Sequence, residues 1–197
     1  MGQNSMRVLV GCECSGKVRQ AFRDNGHDAW SCDIIPSDDN SEYHIQDDVL
    51  NHLDEGWDMM ICFPPCTHLC VSGARWFKDK LPEQGKALEF VDTLLNSNIP
   101  KIALENPVGI ISTRIRKPNQ IIQPYEFGHM ETKRTCLWLK NLPKLKSTKN
   151  VYKKMMKLPK KLRNRIHYMS NTKNRGKDRS ETYTGIAKAM ANQWGLN

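Results

Sequence analysis

Met6-Arg7-Val8-Leu9-Val10-Gly11-Cys12-Glu13-Cys14-Ser15-Gly16 is an apolar run that stops in a turn of small residues, and its reading decides the fold. The run reads as a buried strand, and Gly16 to Asn25 as a helix closed by Gly26. His27-Asp28-Ala29-Trp30-Ser31-Cys32-Asp33 follows as a second strand, which completes a βαβ opening. Outward from there, Tyr43 to Gln46 reads as a short third strand and Asp58 to Phe63 as a fourth. Pro82 then sits where a first-turn proline belongs. Ala87, Leu88, Val91, Leu94 and Leu95 recur at helical spacing before another strand, Lys101 to Leu104. Strands alternating with helices predict an α/β fold, Rossmann-like, with a central, mostly parallel sheet covered on both faces.

Beyond Pro107 the pattern weakens. Ile121 to Gln123 and Thr135 to Leu139 read as strands, whereas Lys140 to Asn174 has little periodicity. Order returns at the end, where Ile186, Met190 and Trp194 fall four apart on one stripe of a helix between Thr184 and Gly195. With 197 residues and 39% hydrophobic content the chain is expected to form a single domain, 1–197, with 140–180 as a basic, partly disordered insertion that contacts substrate. No stretch approaches the roughly 20 apolar residues that cross a bilayer. The polar start Met1-Gly2-Gln3-Asn4-Ser5 does not resemble a secretory signal, so a cytoplasmic protein with no membrane association is expected. The seven cysteines, an odd number, read as reduced thiols rather than a disulfide framework.

The net charge of +9 is unevenly spread. Between Glu131 and Arg179 there are 17 Lys or Arg against only Glu131 and Asp178, so this stretch carries +15 and the remainder −6. Trp138, Tyr152, His167 and Tyr168 are interleaved with the cations, a composition that suits a phosphate backbone and stacked bases; Lys160, Lys161 and Arg163 are the candidate contacts. The plainer alternative is a solvated basic surface.

Two strand ends carry chemistry. The fourth strand leads into Phe63-Pro64-Pro65-Cys66, and the strand from Lys101 into Glu105-Asn106-Pro107. In an α/β protein the residues past the carboxyl ends of the strands face the ligand crevice, so a thiol and a carboxyl would meet there. That pair fits covalent attack on a pyrimidine. The C5 carbon of cytosine is a poor nucleophile until a thiolate adds at C6 while an acid protonates N3. Cys66 would attack and Glu105 would protonate.

The loop Gly11 to Gly16 between strand and helix is where backbone amides admit a cofactor, though any tight turn needs glycine. Asp33, ending the second strand, could accept ribose hydroxyls, and Asp48, after the third, an adenine amino group; alternatively Asp47 or Asp48 caps the next element. Cys62, Cys66, Cys70 and His68 raise the question of zinc. Pro64 and Pro65 break any helix that would align those thiols, so no metal site is expected.

Together, Pro64-Pro65-Cys66, Glu105-Asn106-Pro107, the acidic strand ends at Asp33 and Asp48, and the late glycine-bearing helix resemble the cytosine-C5 DNA methyltransferases, in a compact, phage-type form without a full target-recognition domain. The resemblance covers roughly residues 6 to 107 and 180 to 195, and implies an S-adenosylmethionine-dependent methyltransferase fold. It implies Cys66 as nucleophile, Glu105 holding the base at N3, and Asn106 beside it. S-adenosylmethionine would lie against Gly11, Glu13, Ser15, Gly16, Asp33, Asp48 and Pro64. Pro65, Ser72, Lys133 and Arg134 would meet the substrate, which would be DNA or a cytosine nucleotide, and no obligate protein partner is implied. The sequence departs from the family at several points. Only Gly16 keeps a glycine of the Phe-x-Gly-x-Gly-Gly opening, Thr67 replaces the usual Gln, and Lys133-Arg134 is the nearest match to Gln-x-Arg-x-Arg. Two other readings stand beside this one. In an aminomethyltransferase an Asp/Asn-Pro-Pro-Tyr/Phe motif is expected, but Phe63 and Cys66 occupy its ends here. A degenerate methyltransferase fold would only bind DNA.

Overall fold

Along the first strand, β1 (Arg7–Gly11), Val8 and Val10 face one side, Leu9 faces the other, and all three are fully buried. A strand buried on both sides belongs in the middle of a layered α/β sheet, and that is where it lies. The computed structural model describes residues 4–70, 81–170 and 175–196. Its seven-stranded sheet has the order β3-β2-β1-β4-β5-β7-β6, with β2 at Asp28–Asp33, β3 at His44–Gln46, β4 at Met59–Cys62, β5 at Lys101–Pro107, β6 at Gln120–Ile122 and β7 at Thr135–Lys140. The first five strands are mutually parallel; β7 runs antiparallel to both β5 and β6. The α/β, Rossmann-like fold expected from the sequence is the one observed.

Two helices cover one face. α1 (Lys17–Asp24) and α8 (Thr184–Trp194) bury Val18, Phe22, Ile186, Met190 and Trp194 against Val8, Val10, Met59, Ile61, Ala103 and Leu137. The four-apart stripe of the last helix is therefore a packing stripe, and the Trp194 indole also donates to Pro143 O at 2.9 Å. α1 ends at Gly26, whose φ of +85° suits glycine and whose N–H returns to Arg23 O at 2.9 Å. On the other face α2 (Leu81–Leu95) sets Val91, Leu94 and Leu95 on Leu9, Met60, Ile102 and Leu104.

Strand order reverses between β1 and β4, which pair from Val8↔Met59 to Gly11↔Cys62. A ligand crevice forms at such a switch point, beyond the carboxyl ends of the strands. The loops leaving Gly11 and Cys62 are those that carry the cysteine- and glycine-bearing motifs.

β5 runs further than its apolar core indicates. Its ladder with β4 ends at Cys62↔Leu104, yet β7 pairs with it through Pro107↔Thr135. Glu105 and Asn106 are thus held in extended backbone past the end of the parallel ladder. Further on, α3 (Ile111–Arg114) precedes β6, and the aperiodic stretch after β7 forms three one-turn helices, α4 (Tyr152–Met155), α5 (Lys160–Arg163) and α6 (Arg165–Tyr168). Leu145, Val151, Met155 and Ile166 anchor that stretch by burial. α7 (Arg175–Ser180) comes before the final helix. Among the described residues no helix is long and apolar enough to cross a membrane.

Candidate active site

The thiol turn starts where β4 stops. Phe63 N–H still donates to Gly11 O at 3.0 Å, Pro64 is buried, Pro65 is exposed, and Cys66 is half-buried. The Cys66 carbonyl accepts Leu69 N–H at 3.0 Å and Cys70 N–H at 3.1 Å, which closes one helical turn. Asn106 fixes the entry to this turn, its Nδ2 donating to Pro64 O at 2.8 Å from a buried position. The Cys66 thiol is pushed far up from its ordinary value by a hydrogen bond with Cys70, then by burial and by the charge of Glu105, with Lys133 opposing. At neutral pH it rests as the thiol.

Alternation along β5 turns Glu105 to the α8 face and Asn106 to the other. Glu105 shares a small pocket with Phe63, Lys133, Thr135, Tyr183 and Ile186. Burial raises its carboxyl, and Lys133 and the Thr135 hydroxyl pull the other way. Lys133 is thus the cation that acts on both Cys66 and Glu105. Arg134 is exposed and acts instead on Cys136. The paired candidates Lys133 and Arg134 therefore separate, and only Lys133 belongs with the thiol and the acid.

Neither Thr135 nor Tyr183 stood out in the sequence. The Tyr183 hydroxyl donates to Glu131 Oε2 at 2.7 Å, and its ring lies 5.9 Å from Lys133 Nζ. An aromatic just ahead of the last helix was the only signal for it. The same corner holds the basic segment in place: Arg165 makes a two-pronged pair with Glu131 at 2.8 and 3.2 Å, and Thr132 N–H donates to Arg163 O at 2.8 Å. Lys160 and Lys161 are exposed on α5 immediately before that anchor. Ser72 lies outside the described residues.

The loop after β1 forms the other half of the crevice. A Cβ on Gly11 would lie 2.9 Å from both Cys62 Sγ and Val49 Cγ2, so the glycine is required for close packing of the two strands. Gly16, at φ +66°, opens α1. Glu13 is turned inward and buried, accepting Val18 N–H at 2.8 Å, Arg19 N–H at 3.3 Å and the Ser15 hydroxyl at 3.3 Å. It completes the N-terminus of α1, where orphan amides attract a carboxylate. Beneath it the buried Arg19 guanidinium reaches Ser31 Oγ at 3.0 Å and pairs with Asp39.

Asp33 ends β2 half-buried, its carboxyl raised by burial, and its Oδ1 accepts Ile35 N–H at 3.2 Å. Next to it Ile34 is 72% exposed, an apolar surface beside Asp33 that no sequence pattern marks. Asp48 caps the 3-10 turn Val49–His52, accepting Leu50 N–H at 3.0 Å, which was one of the two alternatives for that acidic pair. Among the described residues no group of three or more His, Cys, Asp or Glu is arranged to hold a metal ion.

No family model matches the chain, and no curated protein matches it. Among solved structures it is similar to a protein described as a DNA modification methyltransferase encoded within an E. coli prophage, at 14% identity and a TM-score of 0.44 over 79% of this chain and 56% of that one. It is also similar to the S. pombe Dnmt2 methyltransferase, at 12% identity and a TM-score of 0.47 over 98% of this chain and 66% of that one. The chain thus spans between about a half and two thirds of the length of these proteins. At these values neither likeness assigns an activity.

Proposed function

We propose that the protein is an S-adenosylmethionine-dependent methyltransferase acting on cytosine C5 in DNA through a covalent Cys66 adduct. What supports the reading is the convergence of a thiol, a carboxyl whose pKa burial raises, and a lysine on one site beyond the carboxyl ends of β4 and β5. Cys66 first gives its thiol proton to water; the thiolate sulfur then forms a bond to C6, and the displaced C5=C6 electrons are stabilised as N3 takes the Glu105 proton. Lys133 meets the developing negative charge at the base carbonyl and favours the thiolate. Asn106 acts through the backbone of Pro64, which makes it a positioning residue. When bound, the cofactor would supply an electrophilic methyl group to C5; water then takes the C5 proton as the S–C6 bond breaks to free the Cys66 thiolate, and N3 returns its proton to Glu105.

The residues present fit that cofactor. Asp33 offers a carboxylate for ribose hydroxyls and Ile34 an apolar face for a flat ring, whereas Gly11 and Gly16 shape the loop by making room for Cys62, Val49 and Arg19. Asp48 follows β3 and Pro64 follows β4, at the same carboxyl edge of the sheet. Ser15 is half-buried in the loop with its hydroxyl on Glu13, and Glu13 works from beneath by holding the loop on α1.

DNA is the favoured substrate because the basic segment is anchored at Glu131 and Thr132, immediately before Lys133. A cytosine within a duplex would have to be flipped out, at a few kcal/mol, so single strands and dCMP belong in the test. A second reading, a fold that binds DNA without methyl transfer, is favoured by one observation: Glu13 fills the α1 N-terminus with a carboxylate of its own. Transfer of a labelled methyl group from S-adenosylmethionine to duplex DNA, single-stranded DNA and dCMP decides between them. Turnover on DNA that is abolished by Cys66→Ser, with cofactor affinity kept, is the expected result. DNA binding with no cofactor binding would establish the second reading.

A further inference from the structure

The turn that carries Cys66 is held from the β5 side at its exit as well as at its entry. Ile110 N–H donates to Leu69 O at 2.9 Å, and Gly109 forms an antiparallel bridge with Cys70. Gly109 has no room for a side chain. A Cβ there would overlap the Leu69 carbonyl oxygen and lie 2.8 Å from the Leu69 carbonyl carbon and 2.9 Å from Cys70 Cα. All three are backbone atoms, which cannot swing aside as a side chain can; relief requires the whole turn to shift. Close approach of two backbones is one of the uses of glycine.

We propose that Gly109 is a positioning residue for the nucleophile: by direct backbone contact it clamps the Cys66 turn to the segment that carries Glu105, so that thiol and carboxyl are set against each other by one stretch, 105–110. The catalytic consequence rests on the proposed role of Cys66; the clamp itself is a statement about geometry. Gly109 pairs with Cys70, the residue whose thiol is hydrogen-bonded to Cys66, so it also controls the nucleophile's immediate partner. A misplacement of reacting groups by about 1 Å costs on the order of 100-fold in rate.

Two full-length variants test this. Gly109→Ala adds the methyl group that has no space. Ile110→Pro removes the N–H that clasps Leu69 at a backbone φ of −72°, which proline accepts; it decides the matter if the alanine variant does not fold. Iodoacetamide labelling of Cys66 in cofactor-free protein, followed by peptide mass spectrometry across pH, reads the clamp without reference to activity. In folded variants the Cys66 labelling profile should move to lower pH as its contact with Cys70 loosens. Single-turnover methylation should fall by about 100-fold with cofactor affinity unchanged. A wild-type Cys66 profile in both folded variants overturns the clamp, and a shifted profile with wild-type methylation overturns its role in positioning. If Cys66→Ser methylates normally, the proposed function fails, whereas the labelling profile still reports on the clamp.

Discussion

Glu105 sits where burial raises its carboxyl above the ordinary range, against the opposing pull of Lys133 and Thr135. A carboxyl whose pKa is raised in the fold favours the folded state while protonated, and that contribution is lost as pH rises through the folded value. Glu105→Gln should therefore melt at or above wild type in mildly alkaline buffer, the gap closing on acidification, while methyl transfer is lost. Thermal melts over a pH series check this; a variant destabilised more at alkaline than at acid pH would mean that the ionised Glu105–Lys133 pair, not the neutral acid, is the resting form. Cys66 and Glu105 were legible in the sequence because each follows an apolar strand. Thr135 and Tyr183 were not, since their place in the site depends on β7 lying antiparallel beside β5 and on the approach of α8. Sequence alone does not separate Lys133 from Arg134; the structure sets Lys133 with Glu105 and Arg134 with Cys136.

At the scale of elements, periodicity exposed the β-α-β opening, α2 and the stripe of α8, and it failed where elements are short. α4, α5 and α6 span four residues each, little more than one helical turn, so no helical period can register in them. The apolar run of β5 predicts an end at Leu104, whereas ladder pairing with β7 carries the strand to Pro107. α8 closes the face of the sheet behind Glu105. Trp194 in it is fully buried and its indole N–H is used, so Trp194→Ala should cost about 3–5 kcal/mol, near the upper range for core truncations. Urea unfolding followed by circular dichroism measures this. A loss below about 1 kcal/mol would mean that α8 is not integral to the core.

Over the whole molecule, charge is unevenly spread: −6 on the part outside residues 131–179 and +15 within them. If the exposed Lys160 and Lys161, with Arg163, meet phosphates, affinity for unrelated duplexes should fall together as salt rises, each contact adding about −0.9 to the log–log slope. Neutralising all three should flatten that slope in fluorescence anisotropy and leave the rate at saturating substrate nearly unchanged; an identical slope would place them off the nucleic acid. The central claim, however, is the covalent bond between Cys66 and cytosine C6. Duplex DNA carrying 5-fluorocytosine at the methylated position tests it most directly, because fluorine cannot leave as the C5 proton does. With S-adenosylmethionine present, mass spectrometry should find the DNA bound irreversibly to the peptide containing Cys66, carrying one added methyl group, and no such species with Cys66→Ser. Methyl transfer to ordinary cytosine C5 without any adduct on the fluorinated duplex would contradict the account.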